Sequence, residues 1–316
     1  MLNYYQTAAG RMLRLDGAEP GCWISLVGPT EDELARVIAD TGVEDEFLRA
    51  ALDEEEPLRL EVDEGQTLLI ADIPVTESEE TDKRMFSTLP MGIIVTRDNV
   101  ITVSLKENPV IADLSEGRMR NVNTALKTRF VLQMLLRAAN RYLFDLRQIE
   151  KTSSAVEREL YKSLKNKELI QLLTLEKSLV YFTTSLKSTE TTLEKLLRGR
   201  ILKLYEEDQE LLEDVLVEFK QAIEMADIYS SILSGTMDAF ASVISNNLNI
   251  IMKVLTIITI LMTVPNIVFS FYGMNTDLPF LAHLAQWGIP SYVIPIGLAV
   301  LCTFFSWLFM KKRKLY

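Results

Sequence analysis
The sequence predicts an α/β domain followed by a long helical stalk and two transmembrane helices. Three observations carry this reading. Pro and Gly punctuate residues 10–109 between short β-branched or apolar runs, no proline occurs from Val110 to Val264, and two uncharged segments, Val254–Phe271 and Ser291–Met310, lie near the end of the chain. At 316 residues the chain has room for about two or three units and ample apolar material for a core.

In the first region, Trp23–Val27, Leu58–Val62, Leu68–Val75, Met91–Thr96 and Val100–Leu105 read as strands. Asp98-Asn99 reads as a tight turn between the last two. Thr30 followed by Glu33 makes a capping box, and Gly42 closes the same helix, so Glu31–Thr41 is predicted helical. From Val110 to Val264 only Gly117, Gly199 and Gly235 interrupt a stretch rich in Leu, Glu, Lys and Ala, which predicts long antiparallel helices. Breaks are expected near Lys165-Asn166 and Gly199-Arg200, with a final helix from about Glu207 to Phe271. The expected boundaries are an α/β domain over 1–120, a stalk over 121–249, a first span over 250–272, a loop over 273–290, a second span over 291–310 and a basic tail over 311–316.

Composition narrows the chemistry. The formal net charge is -11, and Glu31–Glu64 alone holds 14 acids against Arg36, Arg49 and Arg59, so no basic footprint for nucleic acid is expected. Two cysteines, Cys22 and Cys302, cannot build a disulfide framework, and the one histidine, His283, argues against His-rich zinc sites and His-dependent triads. Metal chemistry must then run on oxygen ligands, which suits hard cations such as magnesium. No nucleophile–base pair, phosphate-binding glycine loop or organic-cofactor motif is evident, so no enzyme is expected. Met1–Asp16 has no apolar run behind a basic start, so no secretory signal is expected.

Each uncharged segment is long enough to cross a hydrocarbon core of about 30 Å at about 1.5 Å per residue. Lys253 precedes the first, Lys311, Lys312, Arg313 and Lys314 follow the second, and Gly273–Pro290 carries no Lys or Arg. The positive-inside rule therefore places both termini in the cytoplasm. Within the first span Thr256, Thr259, Thr263, Asn266 and Ser270 alternate spacings of three and four, which puts them on one stripe. The same register runs back through Met252, Asn249, Ser245 and Asp238. Such a stripe serves either helix packing or a water-facing pore wall. A pore wall would need several copies around an axis. Pro265 lacks an amide proton, so a local kink and a freed carbonyl are expected there.

The span ends in Phe271-Tyr272-Gly273-Met274-Asn275. This segment, with Asn249 and Met252-Lys253-Val254-Leu255 below it, a second span with a basic tail after it, and Pro57, Arg59 and Glu61 ahead of Leu68, resembles the CorA family of divalent-cation channels. The resemblance implies a CorA-like funnel: a homopentamer in the inner cell membrane, the first span lining the pore and the second forming an outer ring. It implies selectivity at Gly273, Met274 and Asn275, and a pore along Asp238, Asn249, Met252, Leu255 and Asn266, to which the stripe adds Thr256, Thr259 and Thr263. A ring of neutral amides suits magnesium, which keeps its waters and can donate hydrogen bonds through them. The family reading also makes Glu77 and Asp214 ligands for regulatory cytoplasmic magnesium, and Lys253, Lys311, Lys312, Arg313 and Lys314 a basic ring. Its partners are further copies of the chain, membrane lipid and divalent cations.

Two departures bear on the ion and the gate. Many relatives continue with an acidic segment containing Met-Pro-Glu-Leu, whereas this chain has Thr276-Asp277-Leu278-Pro279-Phe280, which should concentrate cations more weakly. Thr259 and Thr263 stand where relatives often carry apolar residues, which would confine a dewetting constriction to Met252 and Leu255. The alternatives are a zinc, cobalt or nickel transporter of the same superfamily, and a membrane-anchored coiled-coil signalling or scaffold protein.

Overall fold
The computed structural model describes residues 1–78, 84–119, 121–163, 166–199, 205–274, 290 and 292–312. Its contacts divide into two units, Met1–Met237 and Asp238–Tyr316.

The first unit is built on a seven-stranded sheet. Its strands are β1 (Leu2–Ala8), β2 (Arg11–Leu15), β3 (Trp23–Val27), β4 (Leu60–Asp63), β5 (Gln66–Ser78), β6 (Arg84–Val95) and β7 (Val100–Ser104), in the order β2-β1-β3-β7-β6-β5-β4. β3 and β7 pair in parallel and every other neighbouring pair is antiparallel. The β1–β2 hairpin was not predicted. Its register closes on Ala8 opposite Arg11, and Ala9 and Gly10 both have positive φ, 49° and 75°. That is the backbone a two-residue hairpin needs, but alanine in the first position hides the signal that Asn would have sent. The β6–β7 turn is shifted by one residue from the expectation. Thr96 N donates to Asn99 O at 3.0 Å, so Arg97 and Asp98 form its tip. β5 and β6 run well past the apolar segments that predicted them, because ladder pairing continues through the polar Thr76, Ser87 and Thr88.

Three short helices flank the strands: α1 (Glu31–Thr41), α2 (Asp45–Ala50) and α3 (Pro109–Ser115). The expected capping box is present at α1, with Glu33 N donating to Thr30 Oγ1 at 3.3 Å, and Gly42 caps the other end at φ 67°. The two sheet faces divide by strand parity. Ile24, Leu26, Ile70, Ile94, Ile101 and Val103 pack with Leu34, Val37, Phe47 and Leu48 of α1 and α2. A Cβ on Gly92 of β6 would lie 2.7 Å from Ala51 Cβ, so only glycine lets α2 approach this closely.

The opposite face receives α4 (Lys127–Ser163) and α5 (Asn166–Gly199). The indole of Trp23 donates to Thr102 Oγ1 at 2.9 Å and its ring meets Phe130 edge-on at 5.7 Å. Tyr142 meets Phe182 edge-on at 5.0 Å and donates its hydroxyl to Asp72 O at 3.1 Å. Ser185 of α5 donates to the Asp72 carboxylate, and Phe86 N donates to Ser178 Oγ at 3.2 Å. Burial raises the Asp72 carboxyl above its ordinary range, against the pull of Ser185. Asp145 is buried on α4 with Arg141 Nε at 3.1 Å, and burial lifts its carboxyl to about 6 even though Arg141 acts the other way.

The expectation of long helices from Val110 onward is corrected at its start. α3 ends at Ser115, and Gly117 and Asn121 take positive φ of 67° and 57° before α4 begins at Lys127. α4 is described to Ser163 and α5 from Asn166, and Lys165 of the expected break lies outside the described residues. The last two helices are α6 (Glu206–Tyr272) and α7 (Val293–Lys312), the former 67 residues long and within one residue of the predicted limits at each end. α6 continues through Pro265.

Candidate ion pathway
The second unit contains the membrane-length part of α6 and all of α7. Both have an apolar window long enough to cross a bilayer, with mean hydropathies of 2.1 and 2.2. They run antiparallel. Early residues of the α6 span, Ile257 and Ile260, share a groove with Phe305 and Phe309 late in α7, while Leu261, Pro265 and Phe269 share another with Ile296, Ala299 and Phe304.

The side of α6 turned to α7 is apolar. Ile257, Leu261, Val264, Pro265 and Val268 are the partly or fully covered residues of the span, and Val268 is 9% exposed. At about 100° per residue, Ile257, Leu261, Val264 and Val268 centre on one direction, and Thr256, Thr259, Thr263, Asn266 and Ser270 centre about 150° away. Thr259, Thr263, Asn266 and Ser270 therefore face away from the chain's own second membrane helix, Thr256 borders a groove shared with Phe305 and Phe309 of α7, and all five are exposed. Packing against α7 does not explain the upper four.

The stripe's hydroxyls are not idle donors. Thr256 donates to Met252 O at 2.8 Å, Thr259 to Leu255 O at 2.8 Å and Thr263 to Thr259 O at 2.7 Å. Each of these three threonine hydroxyl hydrogens is satisfied within the helix, which leaves oxygen lone pairs as the group presented outward. A row of neutral acceptors is what a hydrated cation can use, since its bound waters are strong donors. Asp238, Asn249, Met252 and Leu255 continue the same stripe, all exposed, Met252 by 53% and Leu255 by 55%. The predicted wall is thus brought onto one line of one helix.

At the end of the span Gly273 N donates to Phe269 O at 2.8 Å. Gly273 is outside the left-handed region, and its lack of a side chain matters for space, because a Cβ there would lie 3.2 Å from Phe269 O. Met274 follows, 55% exposed. Asn275 lies outside the described residues, as do Arg313 and Lys314. Of the remaining basic residues, Lys253 and Lys312 are exposed, and Lys311 Nζ sits 5.0 Å over the Trp307 ring. Asp214 is exposed on α6 in the first unit. Glu77 pairs with Met85 in the β5–β6 ladder, and its side chain lies outside the described residues. Among the described residues no three His, Cys, Asp or Glu side chains cluster to hold a metal. The apolar stripe of α6 and its facing residues on α7 were not singled out from sequence, although the spacing 257, 261, 264, 268 carries the signal.

The model of the CorA-like Mg2+ transporter protein family matches residues 19–313. The chain belongs to the CorA-like Mg2+ transporter family. A curated relative, the cobalt/magnesium transport protein CorA of Methanocaldococcus jannaschii, is 28% identical over 285 residues, covering 87% of this chain and 86% of the relative. The complete structure of the CorA magnesium transporter from the same organism superposes with a TM-score of 0.83 at 24% identity, covering 98% of this chain and 97% of that one. The full-length CmaX protein shares the fold as well, with a TM-score of 0.71 at 17% identity over 100% of this chain and 97% of its own. The α/β domain, long helix and paired terminal spans of this CorA-like chain are therefore the architecture that its sequence predicted.

Proposed function
We propose that this chain assembles into a channel for divalent cations, with magnesium as the principal ion and cobalt as a competitor. The observation that carries the reading is the polar row Thr259, Thr263 and Asn266 on α6, exposed and turned away from α7. One such helix cannot enclose a path, so copies must surround an axis, and the homopentamer implied by the CorA resemblance supplies it. Asn249, Thr256, Thr259, Thr263 and Asn266 then offer successive rings of neutral oxygen to a hydrated ion, which binds weakly enough at each to move on. Met252 and Leu255 form the apolar constriction between Asn249 and Thr256. Gly273, Met274 and Asn275 hold the selectivity ring at the outer mouth. The basic residues Lys253, Lys311, Lys312, Arg313 and Lys314 mark the cytoplasmic end of the spans, with both termini on that side. Cytoplasmic magnesium bound by Glu77 and Asp214 between neighbouring copies closes the channel.

The names of the curated relatives, both cobalt/magnesium transport proteins, support this choice of ions. The test is flux into proteoliposomes holding the full chain, comparing magnesium, cobalt, nickel and zinc with and without a pH gradient. Magnesium influx independent of the gradient is expected. Zinc transport that requires the gradient would replace the channel with a coupled transporter, and no flux of any ion would leave a membrane-anchored scaffold.

A further inference from the structure
The first unit leaves a pair of apolar side chains exposed on each of two neighbouring helices. Val180 and Tyr181 on α5 and Ile228 and Ile232 on α6 are between 45% and 59% exposed, although each helix already buries its other side through Phe182 and Leu186, and through Phe219 and Ala226. Scattered exposed apolar residues are ordinary, but clustered ones mark a surface of contact. The ion pairs between the two helices fix their relative height. Lys187 Nζ lies 3.0 Å from Asp227 on the antiparallel α6, and Lys220 Nζ lies 3.8 Å from Glu190. Counting back from Lys187 and on from Asp227, Tyr181 and Ile232 stand within about one residue of level, and Ile228 is about one turn away.

The two pairs lie on different flanks of the chain. At about 100° per residue, Ile232 is about 140° around α6 from Asp227, and Tyr181 is about 120° around α5 from Lys187. Both are turned away from the seam between α5 and α6, so they do not cover each other within one chain. Charge divides along the same faces. Lys177 and Lys195 lie within about 40° of the direction of Tyr181, and Glu210, Asp214 and Glu224 within about 40° of that of Ile228. All five are exposed, and none has an ion-pair partner among the described residues. One flank is thus apolar with unpaired lysines, and the other is apolar with unpaired carboxylates.

We propose that Val180 and Tyr181 of one copy pack on Ile228 and Ile232 of the next, so that α5 of each chain docks head-to-tail on α6 of its neighbour. This rests on the reading of α6 as the helix that surrounds a common axis. Rotation about an axis along α6 returns every residue at its own height, so a closed ring must join two different patches that stand level. These four residues meet that requirement. The charges select the same occupant, because the lysines beside Tyr181 in one copy then meet the carboxylates beside Ile228 in the next. Lys195 stands level with the stretch of α6 between Asp214 and Glu224. Two copies related by a two-fold axis would instead set each patch against itself, lysine to lysine and acid to acid.

The test uses the full chain in proteoliposomes, with Tyr181→Cys or Val180→Cys combined with Ile232→Cys in a Cys302→Ala background and Cys22 left in the core. Oxidation with copper phenanthroline should give covalent dimers and higher multimers from a double variant on a non-reducing gel. Each single variant should give none, because a head-to-tail contact never sets a position against itself. Ile228→Asp, at an exposed position that leaves the core intact, should slow cross-linking of the double variant about ten-fold. Dimers from a single variant, loss of both thiols without multimers, or a rate unchanged by Ile228→Asp overturns the proposal. Light scattering of the wild-type chain in detergent separates the two readings. A pentamer whose double variants both fail to cross-link keeps the ring and loses this contact, whereas a monomer loses both.

Discussion

Cysteine placed along the α6 span tests whether the polar stripe meets water. The perturbation is a single cysteine at Thr259 or Thr263 on the stripe, and at Leu261 or Val264 on the opposite side, in a Cys302→Ala background. Cys22 is retained because it is fully buried and accepts a hydrogen bond from Asn99 at 3.1 Å. The two sets differ by about 150° around the helix, so they cannot share an environment unless the whole span is solvated. A charged thiol reagent reaching a position packed against α7 near mid-membrane must leave water at a cost of about 3 kcal/mol, which lowers its local concentration by more than about 100-fold. Modification rates, followed by mass spectrometry in proteoliposomes, should therefore differ by about two orders of magnitude, and modification at 263 should block magnesium flux. Equal rates at 263 and 264, or slower reaction at 263, would refute the pore wall and return the stripe to packing between helices.

Three further outcomes are expected. Asn275→Ala should abolish ion selectivity in flux assays while size-exclusion chromatography shows the assembly of the parent, because the change removes an amide acceptor without removing a core side chain; wild-type selectivity would take Asn275 out of the mechanism. Asp214→Ala should weaken the protection that magnesium gives the first unit against protease, and unchanged protection in both Asp214→Ala and Glu77→Ala would send the search for regulatory ligands to the acidic stretch Glu31–Glu64. Asp145 has a folded pKa of about 6, above its ordinary 3.8, so the folded state holds the extra proton between those values and this group's contribution to stability falls as pH rises from about 4 to about 6. By that linkage Asp145→Asn should stabilise the full chain by about 2–3 kcal/mol at pH 7.5 and by almost nothing near pH 4, read as a pH-dependent difference in melting temperature; a difference that does not change with pH would show that Asp145 is not held as a strained anion.

Local signals sufficed for much of this molecule. The capping box at Thr30 and Glu33, the absence of proline between Val110 and Val264, and the lengths of the two uncharged segments act within a few residues or through composition, and they placed α1, α5, α6 and α7 close to their observed limits. The stripe from Asp238 to Ser270 is likewise a property of one helix, since 3.6 residues per turn are enough to align it. Tertiary structure decided what could not be written locally. The β1–β2 hairpin depends on positive φ at an alanine, which only the pairing of its flanking strands imposes. The length of β5 and β6 comes from each strand offering the other a ladder through polar residues that carry no strand signal of their own. Above all, the sequence cannot say which part of the stripe is packed within the chain, because that depends on where a second helix lies. α7 packs closely on Ile257, Leu261, Val264 and Val268, and that leaves Thr259, Thr263 and Asn266 on the side turned away from it.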